Sequence, residues 1–492
     1  MSKSVLRAGI AKSDITNDSK DAIIRDPLYA KALVLDDGDT KIVIVTMDVT
    51  AIGGRKISQR MLDDVGEDFL PNLRNRIQNE LNIPGCNLLV NASHTHPIGR
   101  LLCNDEEQVD RTFDAVKRAM QNMTEVRIGV GVGHEDRITM NRTLRLKNGK
   151  HWTIRHSNPC PPDEEAAGLG PVDPEIGIIK IDRIDGKPLA VVYNFACHLL
   201  FGDTKGSITA NFTGIASKVI EESLGNDAMA LFLQGAAGDV IDITFKDFNR
   251  PRDIEPLGTM LGLSTLEGLK KIQTRADVRL NVISETIQLP RRTDIPAAIK
   301  SLQIEQDELL KSLRFMSLNF KSFLPLYLKY ALNTEYPADY SYRYMQNEKT
   351  GVDDFASMDS INKSNIDKYL KNIYAMEKLT RIQDDIETLQ KHQQINDESG
   401  EKTISAEVQG IKIGDCVIIT SSAEVLAEVG LNIKKASPYE HTFVAAYSNG
   451  YMHYGAPASY YGKEGYEVTE CLLAPEWQEI YEKKANEIIS KL

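Results

Sequence analysis

The chain has 492 residues, with 58 Lys and Arg against 70 Asp and Glu, giving a formal charge of −12 at neutral pH. Hydrophobic residues at 42% and charged residues at 26% exclude disordered and fibrous classes. The acidic balance, with no clustered Lys/Arg run, argues against nucleic acid and against stable membrane association, leaving a small-molecule substrate as the expected partner.

The opening MSKSVLRAGIAKSDIT holds no apolar stretch of signal-peptide length, and no run of about 18 apolar residues occurs anywhere. The six cysteines are scattered without a CxxC pair, as in a reducing compartment, so a cytoplasmic location is expected. Residues 1–293 read as alternating strands and helices. Leu33–Leu35, Lys41–Asp48 and Leu88–Val90 have the apolar, β-branched character of buried strands. A helix is predicted around Arg111–Met123. Ile176–Ile181 and Leu189–Phe195 flank a Gly-Lys-Pro turn as a hairpin, and a helix at Ile215–Leu224 precedes a strand at Met229–Gln234.

Residues 294–398 differ in character. Asp294 can cap a helix from Pro296, and Asn365–Gln393 carries an apolar stripe at steps of three and four. An aromatic-rich link from Phe323 to Tyr344 joins them. The segment reads as a packed helical insertion, or as a lid or dimer arm, and a homodimer is an open possibility. Strands resume at Val408–Ile413 and Val417–Ser421. The predicted fold is therefore α/β: one mixed-sheet domain over 1–293 and 399–492, interrupted by a long helical hairpin.

Chemistry-bearing residues gather at strand ends. His94 and His96 follow Leu88–Val90, and residues two apart in extended chain point to one side, so both imidazoles can reach one site. Neutral imidazole is a common metal ligand, and ordinary polar loop histidines are the alternative. His198 ends the strand closing in NFAC, as a ligand or a rim histidine. Glu424 and Glu428 follow Val417–Ser421 at helical spacing, offering a carboxylate ligand or a solvated helix face. Asp239, after the turn Gly235-Ala236-Ala237-Gly238, is a site carboxylate or a turn former. That turn lacks the GK[ST] ending of a phosphate loop. The stretch NRTLRLKNGKHWTIRH supplies Arg142, Arg145, Arg155 and His156, either to grip a carboxylate or sugar hydroxyl or as a solvated hairpin.

RAGIAKSDIT, DPLYAKALVLDDG, NASHTHP, VDPEIGIIKID, NFACH, LFLQGAAGDV, SAEVLAEVG and YSNGYMHY follow one another in this order. Together they resemble the neutral/alkaline ceramidase family, in particular its short bacterial branch without a carboxy-terminal immunoglobulin-like domain. The resemblance implies one zinc ion held by His94, His198, Glu424 and Tyr454, with Tyr466 as a second site tyrosine and His96 beside the metal. The ceramidase serine that follows Gly-Asp-Val is Ile241 here, and an aspartate of many short relatives is Asn211. Both departures argue against ceramide as substrate.

The combined reading is a zinc-dependent hydrolase acting on a small soluble substrate at an amide or ester carbonyl. In it His96 transfers protons, Asp239 is a further candidate catalytic carboxylate, and Tyr466 with backbone amides near Gly235 stabilises the oxyanion. Arg142, Arg155 and His156 would bind substrate. A zinc-dependent lyase or isomerase on a keto-sugar or polyol derivative, and a non-catalytic binding protein, are the alternatives.

Overall fold

Among the described residues of this computed structural model (5–16, 20–54, 65–96, 104–155, 161–200, 207–225, 227–244 and 252–492), the chain opens with antiparallel strands. These are β1 (Arg7–Asp14), β2 (Tyr29–Asp36) and β3 (Lys41–Met47). β2 and β3 are apolar on both faces because both are covered. Ala32, Val34, Val43 and Val45 enter one core, and Leu33, Leu35, Ile42 and Ile44 another. Helix α1 (Phe69–Leu81) leads to β4 (Leu88–Ala92), parallel to β3. Helix α2 (Asp105–Gln121) begins earlier than the sequence pattern indicated. Asn104 caps it by accepting the Glu107 N–H at 3.0 Å, and acidic residues fill its first turn.

After β5 (Thr124–His134) come three short strands, β6 (Thr139–Asn141), β7 (Thr143–Leu146) and β8 (His151–Thr153), and then β9 (Ala166–Leu169). The expected hairpin is β10 (Glu175–Arg183) and β11 (Pro188–Phe195). Helix α3 (Asn211–Leu224) crosses to β12 (Met229–Gln234), parallel to β11, followed by β13 (Val240–Asp242) and α4 (Glu255–Leu269). One eight-stranded sheet results, ordered β12-β11-β10-β5-β1-β2-β3-β4. β14 (Leu280–Pro290) starts a second sheet.

The chain divides into two compact units, Met1–Arg292 with Ser399–Leu492, and Thr293–Glu398. The second unit is helical: α5 (Ile295–Ser312), α6 (Phe320–Leu332), α7 (Ser341–Thr350) and α8 (Asp354–Ser399). Two expectations are corrected here. Asp294 stands at the start of α5 without a side-chain cap bond, and the aromatic link is itself largely helical, as α6 and α7. Phe323 stacks on Tyr369 of α8 with ring centroids 4.3 Å apart, and Tyr330 donates to Asp359 at 2.6 Å, so α6 is anchored along one side.

Back in the α/β unit follow β15 (Thr403–Ile413), β16 (Cys416–Thr420), the two-residue β17 (Glu424–Val425), α9 (Ala427–Ala436) and β18 (His441–Ala445). The short β19 (Tyr454–Gly455), α10 (Tyr466–Thr469) and α11 (Trp477–Lys491) complete it. The second sheet is ordered β14-β15-β16-β18, with β16 and β18 parallel. Its Ile411, Ile418 and Phe443 share a core cluster with Leu33, Ile44, Ile179 and Leu231 of the first sheet. The two sheets therefore pack face to face, with helices covering their other faces.

This packing brings together the carboxyl ends of β4, β12 and β18. Asn91 of β4 ties them: its amide donates to Ala446 O at 2.6 Å and Ser448 Oγ at 2.9 Å, and its Oδ1 accepts the Gln234 N–H at 2.8 Å. Replacing Asn91 with Ala strands these buried partners and is expected to lower stability by about 3 kcal/mol. Urea denaturation checks this; a change below about 1 kcal/mol contradicts the tie's importance.

Candidate metal centre

The chain leaving β4 turns sharply at His94, whose φ of 62° is left-handed, a conformation that a non-glycine residue holds only when its surroundings enforce it. Here the His94 N–H donates to Val49 O at 2.9 Å, and its ring Nδ1 lies 2.6 Å from Thr50 O. The next residues run beside the chain leaving β11, with the His96 N–H donating to Leu199 O at 3.0 Å. The His198 ring makes the same kind of bond as His94, with Nδ1 at 2.5 Å from Ala237 O. A carbonyl only accepts, so Nδ1 carries a proton in both rings and Nε2 is the atom each ring can offer as a ligand.

Both Nε2 atoms face one carboxylate oxygen. Glu424 Oε2 lies 3.1 Å from His198 Nε2 and 3.4 Å from His94 Nε2, and His96 Nε2 is 3.2 Å from His94 Nε2. His94, His198 and Glu424 are each at least 98% buried, whereas His96 is half-buried at the edge. Burial holds His198 down to about 4, and burial with the neighbouring imidazoles lowers His96 well below the usual range, so both are neutral near pH 7. The result is a buried cluster in which two imidazole nitrogens and one carboxylate oxygen converge on a common point.

The spacing fits a zinc ion. A tetrahedral site with bonds of about 2.0–2.1 Å has ligand–ligand edges of about 3.3–3.4 Å. Two imidazoles and one carboxylate also match the ligand preference of zinc. His94, His96 and His198 form a potential ligand group with donor atoms within 4.8 Å of one another. His96 is thus close enough to be a ligand itself, besides the proton-transfer role expected of it.

Glu424 does not continue a helix as its spacing suggested. It begins β17, which pairs in parallel with Tyr454 of β19, and α9 starts only at Ala427. Tyr454 thereby sits beside the donors, its ring stacked at 6.4 Å on His198 and its hydroxyl accepting from Arg142 Nη2 at 3.0 Å. Glu428, in α9, lies 3.4 Å from Arg145 Nη2, outside the centre.

Several expected roles are reassigned by their contacts. Asp239 is fully buried, but Oδ1 accepts the Ala427 N–H at 2.8 Å and Oδ2 accepts from Asn141 at 2.7 Å, so it anchors the start of α9. The Gly235 N–H donates to Phe195 O and the Gly238 N–H to Val425 O, both at 2.9 Å, so neither amide is available to an oxyanion. The turn is small for a steric reason: a Cβ on Gly238 would lie 2.5 Å from the Glu424 carbonyl. Arg142 is buried with Nε on Glu467 at 2.6 Å and Nη2 on Gly238 O and Tyr454, making it part of the wall behind Tyr454. Ile241 is buried and paired with Met140.

Tyr466 stays at the centre's edge, half-buried, with its ring 5.6 Å from Tyr454 and the Arg155 guanidinium 4.1 Å from its ring centroid. Burial pushes its phenol up, so it remains protonated and able to donate. His156 lies outside the described residues.

Two tyrosines escaped the residue-by-residue reading of YSNGYMHY. The Tyr451 hydroxyl donates to Glu424 Oε1 at 2.5 Å, which leaves Oε2 to face the histidines. The Tyr447 ring lies 4.2 Å from the His94 ring, with its hydroxyl 3.5 Å from Glu424 Oε2. Tyr451 is a positioning residue of the type that supports metal ligands. Tyr451→Phe is expected to weaken zinc binding by about 10–100-fold while the protein stays folded, as read by competition with a chelating dye. Unchanged zinc affinity contradicts that role.

No protein-family model matches the sequence, and no curated protein matches it. Solved structures do. A neutral ceramidase from Pseudomonas aeruginosa aligns with a TM-score of 0.58 and 15% identity, over 99% of this chain and 74% of its own. A ceramidase complexed with C2 aligns with a TM-score of 0.59 and 15% identity, over 99% and 75%. With its two sheets and the donors at their converging strand ends, the chain has the fold of the neutral ceramidases.

Proposed function

We propose that the protein is a zinc-dependent hydrolase that cleaves an amide or ester bond in a small substrate. The observation that carries this reading is the buried Glu424 carboxylate facing the Nε2 atoms of His198 and His94 at 3.1 and 3.4 Å. His94, His198 and Glu424, with Tyr454 or His96 completing the set, would hold a zinc ion, which would supply Lewis acidity and an activated water near neutral pH. The protein's own groups do the rest. His96, neutral and at the open edge, accepts a proton from the attacking water and passes it to the leaving group. The protonated Tyr466 phenol donates to the oxygen on which negative charge develops. Arg155, against the Tyr466 ring, supplies positive charge for an anionic or hydroxyl-rich substrate.

Ceramide itself is not the proposed substrate. Ile241 presents no hydroxyl where the resembling family has a catalytic serine, and its side chain is buried away from solvent. The same substitution favours a second reading, a lyase or isomerase step on a keto-sugar or polyol derivative, in which no serine takes part.

Replacing His94 or His198 with Ala should abolish stoichiometric zinc, measured by metal analysis of the purified protein. Full zinc retention in either variant sinks the assignment. Turnover in heavy-oxygen water then separates the two reactions: hydrolysis places the label in a product carboxylate, and its absence from all products turns the reading to the lyase.

A further inference from the structure

Helix α6 has two apolar sides, and only one is used. Phe323 and Tyr330 are buried, with Leu326 half-buried beside them. Phe320, Leu324, Tyr327, Leu328 and Leu332 are exposed, and Leu332 is 84% exposed. At about 100° per residue these five cover an arc of about 140° on the outside of the helix. Just before it, Phe315 is 99% exposed. A helix with a second apolar face beyond the one it buries ordinarily covers that face with a partner or lays it into an apolar medium. Scattered surface leucines are normal, but a continuous open stripe of this size marks a contact surface.

The charges around the stripe indicate what covers it. Residues 309–334 contain no Asp or Glu, in a chain with 70 of them, and carry Lys311, Arg314, Lys321 and Lys329. All four basic residues are exposed. Lys329 has one loose partner, Asp339, at 3.9 Å. The whole-chain charge of −12 conceals this local reversal of sign. A symmetric contact with a second copy would bring this basic stretch against itself, which disfavours that occupant. An exposed apolar helix face flanked by lysines has the make-up of an interfacial helix, which lies along a bilayer while its lysines reach the head groups. No described helix is long and apolar enough to cross a membrane.

We propose that the outer face of α6, with Phe315, docks the protein on an anionic lipid surface. Phe320, Leu324, Leu328 and Leu332 enter the head-group boundary, and Lys321 and Lys329 meet lipid phosphates. The surface is where the protein is held; it is a separate question from the bond cleaved at the candidate metal centre.

Flotation of the full-length protein with vesicles tests this, using pure phosphatidylcholine and a 70:30 mixture with phosphatidylglycerol. Binding is expected to the mixed vesicles and to be weakened by high salt. Lys321→Gln with Lys329→Gln is expected to lose about 30-fold in partitioning, at about 1 kcal/mol per basic residue near the surface. The triple variant Phe320→Ser, Leu324→Ser, Leu328→Ser is expected to abolish binding while keeping its circular dichroism and zinc content. Absence of wild-type binding to mixed vesicles, or undiminished binding by the folded triple variant, overturns the proposal. Sedimentation of the wild type as a dimer that the triple variant makes monomeric overturns it in favour of a second copy.

Discussion

The contact on which the candidate centre depends is the Glu424 carboxylate, held between the Nε2 atoms of His94 and His198. Each imidazole is locked by a bond from Nδ1 to a backbone carbonyl, Thr50 O or Ala237 O, which fixes both tautomer and ring direction. Tyr451 holds the other oxygen of Glu424. The fold keeps these donor groups together in a dry interior because sheet packing and backbone bonds over-determine each position.

The geometry above the strands serves this arrangement. Parallel pairing of β3 with β4, β11 with β12 and β16 with β18 sends their carboxyl ends in converging directions. Buried polar side chains then bind the emerging loops together. Asn91 connects β4, β12 and the chain after β18, and the Gln234 amide donates to Ser93 O and Cys197 O at 2.9 and 2.8 Å. Asp239 secures the start of α9 just after Glu424, and the small residues of the Gly235–Gly238 turn let the backbone carrying Glu424 approach. Much of what surrounds the donors is therefore structural support.

How far this was legible in the sequence follows from the range of the interactions. The strands carrying the histidines read clearly, because aliphatic runs buried on both faces form a local signal. Glu424 reads as a carboxylate after a strand, but a two-residue strand has no period, so its spacing suggests a helix instead. Arg142 reads as a free cation until Glu467, distant in sequence, is seen to pair with it in the interior. Tyr451 was hidden because its position depends on left-handed turns at Tyr447 and Asn449, which no local pattern announces. In the helical unit, Pro325 and the clustered tyrosines disguised α6 as a link. The whole-chain charge likewise averaged away the basic, acid-free stretch around it.

X-ray absorption spectroscopy of the zinc-loaded protein tests the central claim most directly. The account predicts a first shell of nitrogen and oxygen atoms at about 2.0–2.1 Å, with the outer scattering of at least two imidazoles. A sulfur contribution near about 2.3 Å, or an oxygen-only shell without imidazole scattering, would contradict it.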